Sequence, residues 1–293
     1  MNLALFVAIC QFLLLFFGTF PPTNGTISTA FSQFLRNYFN DEVEKNIARR
    51  DLGTDGSFGG GKEANFKFLR KRPVIFVHGL TNLAGELDYV RRLFREKGGY
   101  RDSELYATTY GYGMKGWKWL RDAMKCDHVK MIRIMIRAIT QFTHSSQVDI
   151  IGYSMGSPIA RKAILGGVCV DTEEQLGPPL THLVHTFIGV GGANREAVHL
   201  CRLFEWAMPC NPVNGMRCHS QFLDDINSNV GYEATTRIFV IRSMDDGTVG
   251  TRDCEGRSVS AIDGQNDEIV LRNYSHQMVI FGTGEQQLKL LTF

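Results

Sequence analysis

The chain has 293 residues, of which 44% are hydrophobic and 21% charged, a composition that excludes a disordered or collagen-like chain and allows a large buried core. Its formal net charge of +2 is too small to point to nucleic acid or to a purely electrostatic membrane anchor.

The first 35 residues contain no Lys, Arg, Asp or Glu, and residues 3–17 are apolar apart from Gln11. That run falls short of the ~20 residues of a membrane-spanning helix. It fits the apolar region of a secretory signal peptide, residues 1–20, with cleavage expected in the polar, Pro-containing stretch that follows. Export from the cell is therefore expected, with no transmembrane segment in the mature chain; a signal anchor or a buried N-terminal helix is the alternative. The sequons at Asn24 and Asn273 agree with export.

Residues 21–72 are expected to form a helical extension and a linker. Phe31, Phe34, Leu35, Tyr38, Phe39 and Val43 recur at helical spacing with polar residues between them, which predicts one amphipathic helix packed on a core. Residues 52–62 carry five glycines without the strand-loop-helix context of a phosphate loop, and are expected to be a flexible connection.

Residues 73–293 predict a single α/β domain. Short aliphatic runs suggest strands at 74–77, 105–110, 148–153, 183–190, 238–242 and 269–271. Helical patterns fall between several of them, at 86–97, 126–142 and 155–165, and a terminal helical stretch covers 278–291. Alternating strands and helices imply a mostly parallel sheet covered on both faces.

Chemistry in such a sheet sits beyond the carboxyl ends of the strands. The run Val148 to Ile151 leads into Gly152-Tyr153-Ser154-Met155-Gly156 and then a helix, the setting in which a G-x-S-x-G turn pushes its Ser hydroxyl out of the sheet. Ser154 is the candidate nucleophile. It needs a base and an orienting acid, which in this architecture follow in the order acid, then His. The strand at 238–242 ends in a loop with two candidate acids, Asp245 and Asp246, and His276 is the only histidine beyond them. Candidate oxyanion donors are the backbone N–H groups of Met155, directly after the nucleophile, and of Leu80, on the loop after strand 74–77. His78 reads more simply as a structural brace of that loop.

The segments Pro73 to Gly79 (PVIFVHG), Gly152 to Gly156 (GYSMG), Val190 to Arg195 (VGGANR) and Tyr274-Ser275-His276 resemble the class 2 triacylglycerol lipases of the α/β-hydrolase superfamily. The resemblance runs from about residue 73 to 291. It implies an α/β-hydrolase fold and lipase or carboxylesterase activity without cofactor or metal. The substrate would be a lipid or ester, met at a lipid–water interface, with Ser154, the Asp245/Asp246 loop and His276 as triad. Asp246 is preferred as the acid because Asp246-Gly247-Thr248-Val249 matches the Asp-Gly-x-Val pattern of lipases. The chain departs from the minimal family form in its N-terminal extension and in a Cys-containing insertion at about 196–230. Met114, Trp117, Trp119 and residues 204–208 read as an acyl groove or lid, or equally as core. An acyltransferase or a thioesterase would use the same triad; a secreted binding protein of the same fold would not use it.

With Cys10 in the leader, six cysteines remain, enough for three disulfides in an exported chain. Cys201, Cys210 and Cys218 with His219 lack a Cys-x-x-Cys pair, so a zinc site is not expected.

Overall fold

The structure, a computed structural model, describes residues 26–61 and 69–292. The expected signal peptide and the Asn24 sequon lie outside the described residues.

Two helices come first, α1 (Thr29–Tyr38) and α2 (Asp41–Ala48), where the sequence pattern predicts one. The break falls at Asn40, whose side chain accepts a hydrogen bond from the Val43 N–H at 2.8 Å and so caps the second helix. The apolar periodicity continues across the break because both helices pack on the same core, through Phe31, Leu35 and Ile47. Within the glycine-rich stretch Ser57–Phe58 forms a short strand, β1. Gly59, Gly60 and Gly61 follow it directly and hid it in the sequence.

The chain then alternates as expected: β2 (Val74–Val77), α3 (Asp88–Glu96), β3 (Leu105–Thr108), α4 (Cys126–Thr143), β4 (Val148–Tyr153) and α5 (Gly156–Leu165). A small hairpin of β5 (Gly167–Val168) and β6 (Gln175–Gly177) precedes β7 (Val184–Val190). Helices α6 (Val198–Leu203) and α7 (Gln221–Asn227) lie in the cysteine-containing segment. The chain closes with β8 (Arg237–Ser243), β9 (Asp267–Leu271), α8 (His276–Gly282) and α9 (Gly284–Leu290).

The main sheet has the order β1-β3-β2-β4-β7-β8-β9, and every pairing is parallel except the antiparallel edge β1–β3. Alternate residues of a strand face opposite sides. Ile75, Val77 and Ile150 join a core with α1, α2, α4, α5 and α7, whereas Val74, Phe76 and Ile151 join a second core with α3 and α8. Burial on both faces explains why β2 reads as an unbroken apolar run. This is the α/β-hydrolase architecture.

The six cysteines among the described residues are paired, Cys126–Cys169, Cys201–Cys210 and Cys218–Cys254. The cluster singled out in the sequence is thus divided between two bridges. One closes a loop beside α6, and the other ties that segment to the loop after β8. Among the described residues no helix is long and apolar enough to cross a membrane.

Candidate active site

Ser154 stands at the end of β4 with φ +53°, in the left-handed region that a side chain seldom occupies. The two motif glycines make that turn sterically feasible. A Cβ on Gly152 would sit 2.7 Å from Ser157 Cα, and one on Gly156 would sit 2.2 Å from the His78 carbonyl oxygen. Only glycine lets the backbone fold so tightly between β4 and α5. The turn leaves the Ser154 side chain 8% exposed, facing the loops after β8 and β9.

The histidine and the acid meet it there. His276 Nε2 lies 2.9 Å from Ser154 Oγ, and His276 Nδ1 lies 2.7 Å from Asp246 Oδ2. Asp246 Oδ1 accepts from the Thr248 and Val249 N–H groups at 3.0 and 3.1 Å, which leaves Oδ2 free for the ring. Asp245 is aimed elsewhere: its Oδ2 accepts from the Asn273 N–H at 2.6 Å, bracing the segment that carries His276. The ring is held further by Tyr153, which lies 5.0 Å away ring to ring and donates its hydroxyl to the His276 carbonyl at 3.2 Å.

Of the two proposed oxyanion donors, Met155 follows Ser154 at the start of α5. Leu80 lies on the loop after β2, beside Gly79, where an added Cβ would come within 3.0 Å of Ser154 Cβ. That loop is braced by His78. Its Nδ1–H donates to the Gly79 carbonyl at 2.7 Å, its Nε2 accepts from the Tyr110 N–H at 3.1 Å, and its ring stacks on Tyr110 at 4.1 Å.

Several supporting residues escaped the sequence reading. Asn194, buried in the segment after β7, accepts from Ser157 Oγ at 2.8 Å and donates to the Ser260 carbonyl at 2.8 Å, tying α5 to two loops. Arg161, on the same helix, is fully buried against Glu233 at 2.8 Å and also bonds Asn227 and the Ile226 carbonyl. Asn194 sits in the Gly-Gly-Ala-Asn-Arg run that carries the family resemblance, but nothing in that run assigns it a role, because its partners lie far away in sequence. Nothing local marks Glu233 as the mate of Arg161.

Two buried groups near the sheet set an opposed pH dependence. Burial pushes His78 down to about 4, with His128 and Arg49 acting the same way and the Gly79 bond and Asp122 opposing. An unfolded His titrates near 6.5, so the unfolded chain binds the extra proton. The His78 contribution is therefore whole above about pH 6.5 and is lost as pH falls toward 4, by about 3 kcal/mol. Asp149, at the start of β4, is pushed up to about 6 by burial, which outweighs Arg72 at 3.1 Å, itself 29% exposed. Here the folded chain holds the proton more tightly, so stability is lost as pH rises from about 4 to 6, by a similar ~3 kcal/mol. The two effects offset each other. Asp149→Asn is expected to uncover the His78 slope: denaturant unfolding at pH 4.5 and 7 should show a steeper loss toward acid in the variant than in the parent chain. Equal slopes would contradict this assignment.

A family model described as Lipase (class 2) matches residues 71–289. No curated protein matches the chain. Among solved structures, Bacillus licheniformis lipase BlEst2 in its propeptide form aligns with a TM-score of 0.53 at 15% identity, covering 81% of this chain and 53% of that one. This chain thus spans about half of that longer form. The mature form of BlEst2 aligns at 17% identity and a TM-score of 0.49, covering 76% of this chain and 93% of that one. A structure from work on LipS and LipT, two metagenome-derived lipolytic enzymes, aligns at 12% identity and a TM-score of 0.50, covering 80% and 94%. At these identities the structural matches carry the fold alone.

Proposed function

Since the chain belongs to the class 2 lipase family and is a carboxylic ester hydrolase, we propose that it works through an acyl-enzyme on Ser154. The observation that carries this reading is the continuous chain of contacts from Ser154 Oγ to His276 at 2.9 Å and on to Asp246 at 2.7 Å. His276 Nε2 takes the Ser154 proton as Oγ attacks the ester carbonyl carbon, and Asp246 keeps the other ring proton on Nδ1. The carbonyl oxygen, now negative, is met by the Met155 and Leu80 N–H groups, each worth roughly 3 kcal/mol in the transition state. Collapse of the intermediate expels the alcohol, which receives its proton from His276. Water, deprotonated by the same base, then releases the acid. The chemistry calls on no cofactor or metal.

Acylglycerols are the proposed substrates, since the family is a lipase family. Export is proposed as well: three disulfides belong to an oxidising compartment. The test is turnover of an ester series of increasing acyl length, with and without an added alcohol and beside matched thioesters. Free acid as the main product, from oxyesters faster than from thioesters, supports the reading. Predominant transfer to the alcohol would make the chain an acyltransferase, and thioester preference a thioesterase. No turnover of any ester would leave a binding protein.

A further inference from the structure

The chain has three tryptophans, Trp117, Trp119 and Trp206, and the fold brings all three to one place. Two excursions, residues 112–121 after β3 and 200–208 after β7, pack against each other, with the buried Trp119 edge-on to Phe204 at 5.2 Å. Tyr112, Met114, Trp117, Leu203, Trp206 and Met208 project from them. These six make up half of the exposed large apolar side chains among the described residues, and Trp117 and Trp206 are 56% and 75% exposed. Trp117 has φ +60°, a conformation that a bulky residue rarely adopts and that here turns its ring outward.

The patch stands at the rim of the candidate active site. The first excursion leaves from Tyr110, whose N–H bonds His78 beside the Leu80 loop, and the Leu200 N–H donates to the Thr248 carbonyl in the Asp246 loop at 3.0 Å. Charge within the two excursions is one-sided. Lys115, Lys118, Arg121 and Arg202 are all exposed, against the single carboxylate of Glu205. Asp51, which lies near Lys115, is already paired with Arg49. Indole rings and long cationic side chains together are the combination that settles at a bilayer surface, rings at headgroup depth and cations toward anionic phosphates.

We propose that this aromatic and cationic patch docks the chain onto an anionic phospholipid surface, presenting the mouth of the Ser154 site to esters held there. This assigns Trp117 and Trp206 to the lipid surface rather than to an acyl groove. Its consequence for turnover rests on the ester-hydrolase mechanism above, but the docking is measured separately.

Trp117 and Trp206 project from the patch and Trp119 is packed beneath it, so intrinsic fluorescence reports on this region alone. Added to vesicles of equal phosphatidylglycerol and phosphatidylcholine, the chain should sediment with them and shift its emission to the blue. Pure phosphatidylcholine or high salt should weaken both effects. Lys115→Ala with Lys118→Ala should lower the partition coefficient by about 25-fold, near fivefold per cation. Trp117→Ser with Trp206→Ser should lower it by at least about tenfold. Both double variants should keep kcat/KM on a soluble short ester within about twofold and lose turnover of an ester embedded in the anionic vesicles. Equal binding to both vesicle types, no binding, or variants that bind like the parent would overturn the proposal. So would a concentration-dependent dimer in buffer with the tryptophans already buried, which would give the patch to a second copy. Vesicle binding by a chain that turns over no ester would leave the docking standing and remove the proposed function instead.

Discussion

Replacing Ser154 with alanine is expected to lower kcat/KM on a soluble ester by at least ~10⁴-fold while the chain stays folded. The loss follows from removing the atom proposed to attack, since binding and oxyanion contacts alone retain a small residue of catalysis. Folding should survive because alanine keeps the Cβ already accommodated at φ +53°, and because the hydroxyl makes its contact with His276 and not with the frame of the elbow. The measurement is steady-state kinetics beside a thermal melt. Activity above about a hundredth of the parent level, with an unchanged melt, would remove Ser154 from the mechanism.

Asp246→Asn is expected to cost up to ~10⁴-fold in kcat, and Asp245→Asn only a few-fold. The asymmetry comes from where each carboxylate points. An asparagine at 246 can still accept from the Thr248 and Val249 N–H groups, so the loop holds its shape. Its amide nitrogen then faces His276 Nδ1 and donates to it. The ring proton moves to Nε2, and the base can no longer accept from Ser154 Oγ. Asp245 meets no ring; its partner is the Asn273 N–H, so its loss loosens the His276 segment without changing the tautomer. Separate kcat values for the two variants on a short soluble ester decide the matter, and a larger loss at Asp245 would reverse the assignment.

The three residues that meet at the site were legible in the sequence because each follows a short apolar run and the parallel architecture gathers the carboxyl ends of its strands. Ser154 was marked by two glycines whose necessity the structure explains at Gly152 and Gly156. Choosing between Asp245 and Asp246 was harder. The two side chains differ only in what the turn makes them face, and the choice leaned on a family pattern. The parts not legible depend on distant pairing. β1 is two residues long and gains its partner Ala107 only when β3 is already in place. The split between α1 and α2 hangs on one Asn40 cap inside an unbroken apolar period. Disulfide connectivity, and the clamp of Arg161 on Glu233, join segments that share no local signal.

The central claim is that Ser154 is a nucleophile activated by His276. A fluorophosphonate probe reacts with such a serine and stays attached, so peptide mapping after labelling of the disulfide-intact chain tests it directly. The account predicts one adduct, on Ser154, formed far more slowly in His276→Ala and absent in Ser154→Ala. An adduct on another residue, or undiminished labelling of Ser154 in the His276→Ala chain, would contradict it.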